Sequence, residues 1–121
     1  APVLASNGGG AVLNVLSVAS FLNGPALATY AASKSAAWAL TNGLRQELEA
    51  QKTQVSALHM GFVDTDLTTA IDAPKAKPAD IVARAYAGLA ANQPEILADE
   101  LTQQVKNSLS SDKALYLTGV R

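Results

Sequence analysis

Residues 11–34, AVLNVLSVASFLNGPALATYAASK, decide the fold. The apolar run at 12–16 reads as a buried strand, and Ser17 stands at its C-terminal end. Asn23, Gly24 and Pro25 mark a loop, after which a helix opens near Leu27. Tyr30 and Lys34 are four residues apart on that helix, so they share a face and a neighbourhood. In an open α/β sheet, ligands bind beyond the carboxyl ends of the strands. The layout aims a hydroxyl, a phenol and an ammonium at one crevice.

Such a trio suits a particular chemistry. A free phenol, with a pKa near 10, is a poor acid or base at neutral pH. An ammonium held close favours the phenolate. A tyrosine so placed can take or give the proton of an alcohol or carbonyl, and a serine hydroxyl beside it can hydrogen-bond the same oxygen. The pair alone is weak evidence. With three tyrosines and lysine at average frequency, about one such sequence in five carries it by chance. Requiring a serine at the preceding strand end cuts that to about one or two per cent.

The segment resembles the active-site region of the short-chain dehydrogenases/reductases. Those enzymes carry Y-x-x-x-K with a serine thirteen residues before the tyrosine. Here YAASK occupies 30–34, and Ser17 stands thirteen residues before Tyr30. The resemblance implies that Tyr30 is the general acid/base. It implies that Lys34 supports the phenolate and holds the nicotinamide ribose of NAD or NADP, and that Ser17 positions the substrate oxygen. Further on, the family has Pro-Gly, an apolar residue and a threonine, which hold the nicotinamide carboxamide. Gly61, Val63 and Thr65 match that pattern, whereas Met60 stands where proline is usual. By the same resemblance the fold is α/β and Rossmann-like, the C-terminal half of a doubly wound sheet, with three parallel strands and flanking helices.

Composition sets the outer bounds. A chain of 121 residues is one domain at most, and 49% apolar residues suffice for a core. A net charge of −1 gives no reason to expect nucleic acid or an anionic membrane surface as partner. Without cysteine there is no disulfide framework, thiol nucleophile or thiolate metal site, which fits a cytoplasmic setting. No apolar stretch approaches the roughly 20 residues of a membrane span, and no signal peptide is visible. Gly8, Gly9 and Gly10 precede a strand, whereas a dinucleotide loop follows one and opens a helix. The expectation is therefore a single partial domain over 1–121, lacking the family's nucleotide-binding first half.

The remaining segments follow the same logic. Residues 1–6 read as a helix end and 11–17 as a parallel strand covered on both faces. Asn14 interrupts that strand and calls for a structural hydrogen-bond partner. In the loop over the crevice, Phe21, Leu22 and Asn23 are candidates for substrate contact, though Phe21 and Leu22 could equally pack. Ser20 is a less well spaced alternative to Ser17. Residues 27–51 form one long helix, with small residues at Ala28, Ala32, Ala36 and Ala39 and an apolar row Leu40, Leu44, Leu48. Trp38 has mostly polar helical neighbours, which suggests either a subunit interface, as family members pair through this helix, or packing under a local loop.

Residues 54–60 read as the second strand. His59 is the only histidine, so no metal site is expected. Asp64 and Asp66 read as loop caps. Residues 67–77 read as a short lid punctuated by Pro74 and Pro78, which implies a small substrate or an open site. A helix from 78 to about 91, a strand at 95–98 and a helix at 99–109 complete the pattern, leaving Leu115 and Tyr116 unplaced.

The expected activity is hydride transfer between NAD or NADP and a small alcohol or carbonyl compound, in a homo-oligomer joined through helix 27–51. The rivals are a family epimerase or dehydratase that keeps the same tyrosine and lysine, and a non-catalytic remnant serving as a folding or assembly partner.

Overall fold

The strand Thr53–His59 (β2) is the axis of the molecule, and almost all of it is buried. The computed structural model describes residues 1–120. Gly10–Val15 (β1) pairs with β2 in parallel, from Gly10 opposite Thr53 to Val15 opposite Leu58. Glu95–Leu97 (β3) pairs with the other edge, Ala57 opposite Glu95 through His59 opposite Leu97. The sheet order β1-β2-β3 needs a crossover at each step. Helix Ala28–Leu48 (α2) supplies the first and Pro78–Ala90 (α3) the second. Short helices Pro2–Ser6 (α1), Glu100–Asn107 (α4) and Leu115–Thr118 (α5) complete the chain. The last holds Leu115 and Tyr116. The fold is the α/β, Rossmann-like arrangement of three parallel strands with flanking helices.

Local chemistry accounts for the boundaries. Pro78 begins α3, where its missing N–H costs nothing. Asp99 caps α4 by accepting from the Thr102 amide at 2.8 Å and its hydroxyl at 2.7 Å. The long helix ends in a 3-10 turn, Glu49–Gln51, and Lys52 takes a left-handed φ of 59° to enter β2. Gly9, with φ of 113°, passes beside the Lys52 carbonyl, where a Cβ would collide with backbone.

Alternation along β2 separates two cores. On one face Leu58 packs with Ile81, Ala85, Ile96 and Ala98. On this side α3 approaches β3 closely at Gly88. A Cβ there would stand 2.5 Å from Ile96 Cγ1. The other face is polar at its end. His59 is fully buried, its Nε2 2.7 Å from Glu95 Oε2. Trp38 Nε1 donates to Glu95 Oε1 at 2.8 Å. Phe21 closes the cluster, its ring 4.7 Å from Trp38 edge-on and 4.3 Å from His59. Trp38, half-buried, thus has the local packing partners expected as the alternative to an interface. Its helical neighbours are polar, yet it faces a carboxylate and two rings brought from elsewhere in the sequence.

Two expectations change. The apolar run of β1 is only partly covered among the described residues: Val12, Leu13 and Asn14 are half-buried and Val15 is 57% exposed. The row Leu40, Leu44, Leu48 does not all face inward. Leu48 is buried, but Leu40 is exposed. The inward stripe of α2 is Ala31, Thr41 and Leu48. Thr41 accepts the Asn14 side-chain amide at 2.9 Å, the partner expected for that residue. Arg45 ties α2 to the carbonyls of Val55 at 2.9 Å and Pro94 at 3.0 Å. Among the described residues no helix is long and apolar enough to cross a membrane.

Two outcomes follow for stability. Gly88→Ala should cost about 1–3 kcal/mol by forcing α3 away from Ile96, read as a lower urea midpoint. The second concerns Glu95. Burial pushes its carboxyl up, but hydrogen bonds from His59 and Trp38, with the charges of His59 and Lys106, outweigh that and hold it below the ordinary 4.5. A depressed carboxyl adds stability that is complete above its unfolded value and lost as pH falls through its folded value. The urea midpoint should therefore fall on acidification from about pH 6 to about pH 3, and Glu95→Gln should show a smaller fall. An equal fall in both would remove Glu95 from the acid response.

Candidate active site

The crevice forms where the sheet ends. Past β1 the pairing with β2 continues as single hydrogen bonds, Leu16 N to Leu58 O at 2.7 Å and Val18 N to Met60 O at 2.8 Å. They bracket Ser17 and hold it at the carboxyl edge of the sheet. Ser17 is buried and caps the 3-10 turn Val18–Ser20, its Oγ accepting the Ala19 amide at 3.1 Å. Acceptance there leaves the O–H of Ser17 available to donate. Its carbonyl accepts the Ser20 amide at 2.9 Å and stands 3.3 Å from His59 Nδ1.

Tyr30 and Lys34 come from the first turns of α2. Tyr30 is 47% exposed, and Lys34 Nζ lies 5.7 Å from the centre of its ring. Both line a crevice of about 470 Å³ together with Ser17. The Ala28–Lys34 stretch is helical for the reason legible in sequence, a run rich in alanine. Helical spacing then places the phenol and the ammonium on one side.

The opposite wall is the loop after β2. Gly61, Val63 and Thr65 all line the crevice. The loop is pinned at both ends rather than free. The Asp64 amide donates to Ala76 O and the Ala76 amide to Phe62 O, each at 2.9 Å. Thr68 Oγ1 donates to Val63 O at 2.6 Å. A 3-10 turn, Asp66–Thr68, lies in the segment expected as a lid, and Leu67, Thr68 and Ile71 face the crevice. Apolar side chains such as Leu16, Met60, Phe62 and Leu101 make up most of the remaining lining.

Other candidates lie elsewhere. Phe21 is buried against Trp38 and His59 and does not line the crevice. Its ring fills the polar-side core instead, which corrects the expectation of substrate contact. Asn23 is exposed and outside the crevice wall, with its Oδ1 accepting the Gly24 amide at 2.7 Å. The side chain is used to make its own turn. Ser20 is buried, and its Oγ has no partner among the described residues. It too is absent from the crevice wall.

Sequence reading missed Asp99. One oxygen caps α4 and the other accepts the Gly61 amide at 2.6 Å. This bond anchors the loop where Met60 replaces a proline. The aspartate ahead of a helix was a visible N-cap signal, but its second partner lies 38 residues away.

The donor set, a hydroxyl, a phenol and an ammonium around an otherwise apolar crevice, fits the nicotinamide end of a dinucleotide and an alcohol or carbonyl oxygen beside it. Comparison with known proteins bears on the same region. A model of the short chain dehydrogenase family matches residues 1–76. A 3alpha-hydroxysteroid dehydrogenase of Mediterraneibacter gnavus is 33% identical over 119 residues, 98% of this chain and 44% of that protein. An uncharacterized oxidoreductase of Escherichia coli is 38% identical over 112 residues, 92% of this chain and 42% of its own length. Among solved structures, a short chain dehydrogenase from Burkholderia cenocepacia in complex with NADP superposes with a TM-score of 0.90 at 31% identity. That match covers 99% of this chain and 52% of the other. The chain thus spans about half the length of the relatives it matches. With the family model matching residues 1–76, more than half of its length, the chain belongs to the short-chain dehydrogenase family.

Proposed function

We propose that the protein containing this chain is an NAD- or NADP-dependent oxidoreductase acting on a small alcohol or carbonyl compound, with Tyr30 as general acid/base. The observation that carries this reading is the meeting of Ser17, Tyr30 and Lys34 on one crevice at the carboxyl edge of the sheet. Bound nicotinamide supplies the hydride in reduction and accepts it in oxidation. The chain's own residues handle the oxygen and its proton. Ser17 donates a hydrogen bond to the substrate oxygen and orients it. Tyr30 passes a proton to that oxygen in reduction and removes it in oxidation. Lys34, its Nζ 5.7 Å from the centre of the Tyr30 ring, would hold a ribose hydroxyl beside the phenol. Gly61, Val63 and Thr65 form the wall for the carboxamide.

We further infer that the free edge of β1 pairs with a strand from the part of the fold these relatives have and this chain does not span. That part would hold the pyrophosphate. The exposed stripe of α2, Ala32, Ala36, Ala39 and Leu40, is the face offered to a second copy.

Kinetics on the complete protein test the first reading. Tyr30→Phe should lower kcat by about 10²–10⁴-fold while the cofactor dissociation constant changes little. A variant retaining more than about a tenth of the rate overturns the assignment. Lys34→Ala should weaken cofactor binding and rate together, and should shift the basic limb of the pH–rate profile. For the assembly, Leu40→Arg should reduce the sedimenting species to monomer. An unchanged species would place the interface elsewhere.

A further inference from the structure

We infer that His59 is a positioning residue for the reaction, acting through Ser17. The inference rests on the role proposed above for Ser17. His59 is the last residue of β2, directly behind the crevice, and it is fully buried. Its Nδ1 faces the Ser17 carbonyl at 3.3 Å and its Nε2 faces Glu95 Oε2 at 2.7 Å. A backbone carbonyl and a carboxylate only accept. The ring therefore bridges the backbone of the serine to a carboxylate on β3.

Every degree of freedom of that bridge is restrained. Glu95 is itself fixed by Trp38 Nε1 at 2.8 Å. Phe21 lies 4.3 Å from the imidazole on one side, and Trp38 meets it edge-on at 6.3 Å. The ring cannot turn away without leaving its own buried nitrogen without the half-buried carboxylate it faces, which is costly. Among the described residues, the other partner of the Ser17 carbonyl is the Ser20 amide, inside a 3-10 turn. The ladder bonds of Leu16 and Val18 fix the backbone on either side, and the His59 contact restrains the peptide between them, from which the hydroxyl must meet the substrate oxygen. The apolar alternation of a strand does not require a histidine at 59. An alanine or valine would fill the position more cheaply. What the imidazole adds is a polar ring nitrogen directed at the Ser17 carbonyl.

A double-mutant cycle on the complete protein decides the matter. The four forms are wild type, Ser17→Ala, His59→Leu and the pair, each assayed for kcat, KM of substrate and cofactor dissociation constant. His59→Leu should lower kcat about tenfold, with the cofactor constant little changed. In the Ser17→Ala background the same change should cost little further, because the hydroxyl it positions is gone. His59→Gln, whose amide can donate, should recover part of the lost kcat. If His59→Leu does not fold, Glu95→Gln is the second variant. It keeps the shape, loosens the ring and should give a smaller loss with the same dependence on Ser17. Equal losses in both backgrounds, or a full rate in His59→Leu, overturn the inference while leaving Ser17 in its role. A full rate in Ser17→Ala overturns the role of Ser17, and this inference with it.

Discussion

The parallel pairing of β1 with β2 is the constraint on which the rest of the molecule depends. It runs from Gly10 opposite Thr53 to Val15 opposite Leu58 and then continues for three residues as isolated hydrogen bonds. Because side chains alternate, a slip of one residue would send every side chain to the wrong face. The register therefore sets which hydroxyl reaches the crevice. It also sets the distance between Ser17 and the Gly61 loop, since both leave the sheet from the same ladder. Asn14 and Thr41 lock β1 to α2 at a single polar contact, so the helix carrying Tyr30 and Lys34 is referenced to the same strand.

The two faces of β2 do different work. Leu58 packs in an apolar cluster that α3 covers at the closeness Gly88 permits. The other face buries an imidazole beside a carboxylate, an arrangement that repays its desolvation only when its polar atoms are paired. Trp38 supplies the indole donor that pairs the second oxygen of Glu95. The tryptophan, the glutamate and the histidine are individually ordinary in sequence. Together they form a polar plug directly behind Ser17. Asp99 has a comparable double role in front of the crevice, joining α4 to the Gly61 amide.

The long helix α2 has two careers. Its inward residues, Ala31, Thr41 and Leu48, are small or end-placed, so the helix can lie close on the sheet and bring Tyr30 to the strand end. Its outward side is alanine-rich with Leu40 exposed. Such a face is inexpensive to leave in water and easy to cover.

Much was legible in the sequence alone. The apolar run before Ser17, the alanine-rich helix and the Tyr30–Lys34 spacing dictate a strand, a helix and a shared face, because periodicities of 2 and 3.6 are local properties of the backbone. Gly61, Val63 and Thr65 were recognisable by pattern and do line the crevice. Only the tertiary structure decided where Phe21 and Trp38 point, and which partners His59, Glu95 and Asp99 choose. Trp38 and Glu95 are 57 residues apart, and Ser17 and His59 are 42 apart. No helical or strand period relates positions so distant. Their contacts exist because two crossovers stack three strands in one order, and that order belongs to the packed molecule rather than to any segment of it.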